Sequence, residues 1–70
     1  MTRKPLTKKS CLNTLFRAYY NMNTYTDAEL CEMEAKLMQW ANSCTAKEFI
    51  GECESCFGYT YTDENGFARS

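Results

Sequence analysis

Histidine is absent from the 70 residues. The chain therefore lacks the commonest general base, and a nucleophile here would have little to activate it. The three glycines, Gly51, Gly58 and Gly66, are scattered and form no loop that could cradle a phosphate. Apolar runs are two or three residues long, far from the roughly 18 that a membrane-spanning helix needs, so a soluble chain is expected. The first ten residues are polar and basic with no apolar run behind them, so neither a secretory leader nor a secreted disulfide scaffold is expected. These gaps point away from an enzyme and from a membrane protein, and toward a cytoplasmic binding domain.

What is present must stabilise a small domain. A chain of this length forms one domain, residues 1–70, and buries only about 60% of its unfolded surface, so disulfides, a metal or a partner would be welcome help. Cys11, Cys31, Cys44, Cys53 and Cys56 are odd in number. A helical reading puts most of them on apolar faces, where a reduced thiol packs as a small hydrophobe, and Cys53 and Cys56 are expected one turn apart on a buried face. Cys53-Glu54-Ser55-Cys56 is a C-x-x-C, but late in a helix and among Glu48, Glu52 and Glu54, where a reactive thiolate is disfavoured. A structural zinc held by Cys31, Cys44, Cys53 and Cys56 is the rival reading. It lacks a second C-x-x-C and any histidine, so neither metal nor other cofactor is expected.

Three helices are expected. Thr26 with Glu29 forms a capping box, Tyr25 and Leu30 supply the hydrophobic staple, and Asp27, Glu29 and Glu32 favour the positive end of the helix dipole. Leu30, Met33, Leu37, Trp40 and Cys44 then recur at spacings of 3 and 4, on a helix reaching Asn42 or Ser43. Thr45 and Glu48 open the next helix, with Phe49, Ile50, Cys53, Cys56 and Phe57 as its apolar face and Gly58 as its stop. Its internal Gly51 weakens it, and the join at Ser43–Thr45 reads either as a tight corner or as a kinked continuation. The first helix runs from Thr7 or Ser10 to Tyr20 with Leu12, Leu15, Phe16 and Tyr19 on one side. The fold expected is mainly all-α, with residues 1–7 as a basic arm and residues 59–70 as a short extended or disordered tail, too short after Asn65-Gly66 for a full hairpin. The expected core is Leu12, Leu15, Phe16, Leu30, Met33, Leu37, Trp40, Phe49, Ile50 and Cys53.

Charge and aromatics carry the functional expectations. Residues 1–17 hold Arg3, Lys4, Lys8, Lys9 and Arg17 and no acid, whereas all nine acids lie in residues 18–70. Those five cations are the candidates for contact with nucleic acid or another polyanion, against the lack of an overall basic excess. Ten aromatics exceed what a core this small should hide, so Tyr19, Tyr20, Trp40, Phe57, Tyr59 and Tyr61 are candidates for binding a partner. The stripe of Leu30, Met33, Leu37 and Trp40 has coiled-coil spacing for about two heptads, which makes a homodimer through it a candidate. The favoured function is a non-enzymatic adaptor or modulator that docks on a larger host protein, as an accessory protein of a phage or mobile element would. The alternatives are a nucleic-acid-binding regulator using the basic arm and a small zinc-stabilised domain.

Lys4-Pro5-Leu6-Thr7-Lys8 and Tyr25-Thr26-Asp27-Ala28-Glu29-Leu30 resemble short segments of the small Hha-type nucleoid-associated modulators of enteric bacteria. The likeness covers eleven residues. The interval between the two segments is too short for that family's intervening helix and the sequence diverges after Leu30, so the resemblance transfers no site residue.

Overall fold

The computed structural model describes residues 3–70; the first two residues of the arm lie outside the described residues. The elements in order are α1 (Lys8–Asn21), α2 (Asp27–Ser43), α3 (Ala46–Phe57), β1 (Tyr61–Thr62) and β2 (Ala68–Arg69). The mainly α, three-helix architecture is the one that the hydrophobic spacing predicts.

One device starts all three helices. Thr7, Thr26 and Thr45 each accept a hydrogen bond from the backbone N–H three residues on, at 3.0, 3.3 and 3.2 Å. Each satisfies a donor that the helix itself leaves free, and such a cap contributes about 1 kcal/mol. At Thr26 the box closes through the Glu29 carboxylate, and at Thr7 through the hydroxyl of Ser10, which accepts from the Thr7 N–H at 3.0 Å. Gly58 ends α3 at φ 72°, donating to the Glu54 carbonyl at 3.1 Å. Helix α3 runs unbroken through Gly51.

Only Cys44 and Thr45 separate α2 from α3, so the join is a tight corner. The corner's carbonyl is satisfied from elsewhere: Lys8 donates its Nζ to the Cys44 carbonyl at 3.1 Å. Helix α1 is the central element, packing against α2, α3 and β2. The buried core comprises Leu6, Cys11, Leu15, Leu37, Ala41, Phe49, Cys53 and Ala68. Four of these are in the expected set. Leu12, Phe16, Trp40 and Ile50 pack on the core from its margin, whereas Leu30 and Met33 are half-buried and stand outside the cluster.

Leu37 bears on the dimer expectation. A seam through Leu30, Met33, Leu37 and Trp40 needs Leu37 free, but its side chain is 8% exposed and belongs to the chain's own core, while Trp40 packs on Phe49 with ring centroids 4.6 Å apart. From Leu37 onward, the 3-4 spacing marks the face that α2 turns to its own neighbours.

The C-terminal segment is ordered. Tyr61 pairs with Arg69 and Thr62 with Ala68 in an antiparallel hairpin two residues per strand. Its turn is built by Asp63, whose Oδ1 accepts from the N–H groups of Asn65 at 2.9 Å and Phe67 at 3.0 Å, with Gly66 at φ 83°. Strands this short are not stable alone, and the arm and α1 hold them. Thr62 donates its N–H to the Lys4 carbonyl at 2.9 Å, making the arm a third strand-like edge, and Ala68 donates its N–H to the Thr14 hydroxyl at 2.7 Å. Beneath them the buried Thr62 hydroxyl lies 3.0 Å from the Ser10 oxygen and 3.1 Å from the Pro5 carbonyl, sharing one proton between them. Ser10 donates to the Thr7 carbonyl at 2.8 Å and Thr14 to the Ser10 carbonyl at 2.9 Å. Among the described residues no buried side-chain polar atom lacks a partner.

Buried hydroxyls bonded to one another act as a unit. Ser10→Ala and Thr62→Val are each expected to lower stability by about 1–3 kcal/mol, and the double variant by clearly less than the two losses together. Urea denaturation of the four proteins checks this; strictly additive losses would mean that the two hydroxyls are not coupled.

Candidate functional site

The six aromatic candidates divide. Tyr19, Trp40 and Tyr59 pack on the core, and Tyr19 also meets Tyr25 edge-on at 6.4 Å. Tyr61 is half-buried beneath Arg3. Tyr20 and Phe57 are open to solvent, 48% and 46% exposed. Phe57, expected on the apolar face of α3, instead leaves the helix end outward and stacks on Tyr59, with ring centroids 5.7 Å apart and planes 24° from parallel. That pair forms one amphipathic edge, with the Tyr59 ring anchored in the core and the Phe57 ring presented. Burial, then the neighbouring Cys53 and Cys11, raise the Tyr59 hydroxyl pKa above its ordinary value. The exposed apolar surface also includes Met22 and Met38, neither of which the helical stripes single out.

The five cationic candidates are held in place to different degrees. Arg3 lies over the Tyr61 ring at 4.7 Å and Arg17 over the Phe67 ring at 4.8 Å. Lys8 is engaged at the Cys44 carbonyl, Lys4 enters through its backbone bridge to Thr62 with its side chain exposed, and Lys9 is exposed. The hairpin brings in a further cation that the N-terminal charge run does not reveal. Arg69 donates its Nε to Asp63 Oδ2 at 2.7 Å, the one salt bridge among the described residues. First through this bond, then through the Phe67 N–H, the Asp63 carboxyl pKa is lowered. The arm, α1 and the hairpin region together carry six cations and two acids, while α2 and α3 carry two cations and seven acids.

The cysteines do not assemble a metal centre. Cys31 and Cys56 are exposed, Cys44 is half-buried at the corner, and Cys53 is fully buried beside Cys11. Among the described residues no three His, Cys, Asp or Glu side chains converge. The expectation that Cys53 and Cys56 share a buried face fails for Cys56. Three residues turn a helix by about 300°, and Cys56 lies far enough round α3 to face solvent, 3.7 Å from Glu52 Oε2. The thiols of Cys11 and Cys53 are free and buried; burial pushes both pKa values up, that of Cys53 to about 12. No helix among the described residues is long and apolar enough to cross a membrane.

Comparison with known proteins finds no matching family model, no matching curated protein and no matching solved structure.

The thiols give a direct check. In the native protein Cys31 and Cys56 are expected to react rapidly with an aromatic disulfide reagent at neutral pH, and Cys11 and Cys53 only on unfolding. In the unfolded chain a thiol ionises near its ordinary value of 9.0, but folded Cys53 holds its proton to about 12. Stability from this site is therefore complete below pH 9 and is lost progressively from 9 toward 12. Urea midpoints should fall across that window, and less steeply in Cys53→Ala; an equal fall in both proteins would contradict this.

Proposed function

We propose that the protein is a small non-enzymatic adaptor or modulator that docks on a larger protein through the edge formed by Phe57 and Tyr59. The single observation that carries this reading is the Phe57 ring, stacked on a core-anchored tyrosine while 46% of the residue stays exposed. A flat ring pre-ordered by stacking loses little conformational freedom on binding, and aromatic anchors of this kind supply a large share of interface energy. Glu54 stands within a turn of it on α3, and Glu52 lies in the turn before. The partner is therefore expected to offer an apolar pocket with cations at its rim, which would steer the encounter while the pocket supplies the affinity. In this reading the protein works in the cytoplasm on a host protein, as an accessory protein of a phage or mobile element would. An absent histidine and scattered glycines agree with a non-catalytic role.

Affinity capture from nuclease-treated bacterial lysate, followed by mass spectrometry, tests it. One stoichiometric protein should remain at moderate salt and be lost with Phe57→Ala, a truncation expected to cost about 2 kcal/mol of binding, roughly 30-fold. Recovery that is unchanged by Phe57→Ala in a folded protein would remove the proposal.

A further inference from the structure

We propose that the outer face of the hairpin, with the arm paired to it, binds the phosphate backbone of single-stranded nucleic acid. This reading goes beyond the protein-docking edge and uses different side chains. Successive residues of a strand point to opposite faces. Thr62 and Ala68 are buried against α1, so their neighbours Tyr61 and Arg69, which pair across the strands, lie on the outer face. Arg3 reaches over Tyr61 at 4.7 Å from the arm, and Arg17 reaches over Phe67 at 4.8 Å from α1. Two guanidinium groups, one from the arm and one from α1, are thereby each fixed over a ring of the hairpin region.

A guanidinium held over a ring keeps its in-plane N–H donors for other acceptors, and these match the paired oxygens of a phosphate. Ordering by the ring removes part of the rotamer freedom that a free arginine would lose on binding. Lys4 adds a mobile charge at the same edge, held there by the backbone bond from Thr62 to its carbonyl. Of the two acids in this region, Asp63 is occupied with Arg69, which leaves the exposed Glu64 at the turn as the one opposing charge. The acidic surface of α2 and α3 belongs to a molecule 37 Å in its longest dimension, and charge is screened over about 8 Å at physiological salt, so the basic face acts locally.

The size of the platform selects the ligand. Strands of two residues offer no helix or long ribbon to enter a duplex groove. A few cations beside half-exposed rings suit a flexible strand, which can bring its phosphates to the cations one after another.

The probe is a fluorescently labelled 15-residue oligodeoxythymidine, titrated with the full chain and followed by anisotropy. Three contacts, from Arg3, Lys4 and Arg17, should give a log–log salt slope of about −2, which weakens binding about 20-fold between 50 and 200 mM salt. Arg3→Gln should flatten the slope by about 0.7. Tyr61→Leu, which keeps every charge, should weaken binding several-fold with the slope unchanged. Lys47→Gln, which removes the same charge from α3, should leave binding as it is. Circular dichroism confirms that each variant is folded. No anisotropy change at 50 mM salt overturns the proposal. An equal loss from Lys47→Gln and Arg3→Gln also does so, since only net charge would then matter. Binding to phosphatidylserine vesicles but not to the oligonucleotide would assign the face to a lipid surface and overturn it as well.

Discussion

The buried contact between the hydroxyls of Ser10 and Thr62 is the constraint on which the rest of this structure depends. Ser10 is 1% exposed and Thr62 8%, and the two oxygens are 3.0 Å apart across 52 residues of chain. A buried hydroxyl without a partner costs more than most single contacts return, and Thr62 meets its partners, the Ser10 hydroxyl and the Pro5 carbonyl, only when the arm and the hairpin both close. Once they close, Leu6 and Ala68 complete the apolar core that three short helices alone leave open. Polar matching thus decides where the apolar residues from the two ends of the chain are placed.

The helices are legible in the sequence because each is marked twice, by a threonine cap and by a 3-4 apolar spacing. Thr26 with Glu29 and Thr45 with Glu48 locate two starts to the residue, and Gly58 locates one end. Leu15, Leu37, Phe49 and Cys53 are buried as that spacing requires. The contributions of Leu6 and Ala68 are not legible, since an isolated apolar residue in a polar segment has no period to reveal it. The hairpin is hidden for a related reason. Its strands are too short for alternation to register, and its partners, Lys4, Ser10 and Thr14, are more than 45 residues away. Spacing identifies an apolar face without saying what covers it, and at Leu37 the chain's own core covers it.

The candidate sites follow the same division. Residue types pointed to aromatics and to cations, but only the fold separates Trp40, which fills a space beside Phe49, from Phe57, which is presented. The fold also converts a charge run in the sequence into a surface. Arg3 and Arg17 are fourteen positions apart, and each ends over a ring of the hairpin region, where Arg69 joins them from the other end of the chain. Charge, aromatic surface and core are therefore linked through one closure. If the hairpin opened, the rings beneath Arg3 and Arg17 would be lost.

Amide hydrogen exchange at Thr62 and Ala68 tests that closure most directly. Their N–H groups bond to the Lys4 carbonyl and the Thr14 hydroxyl, contacts that exist only while arm, hairpin and α1 are together. Protection of both amides should match that of the α1 amides around Leu15, since all would open only with the core. Exchange of Thr62 and Ala68 at the rate of an unstructured tail, while α1 stays protected, would contradict the account.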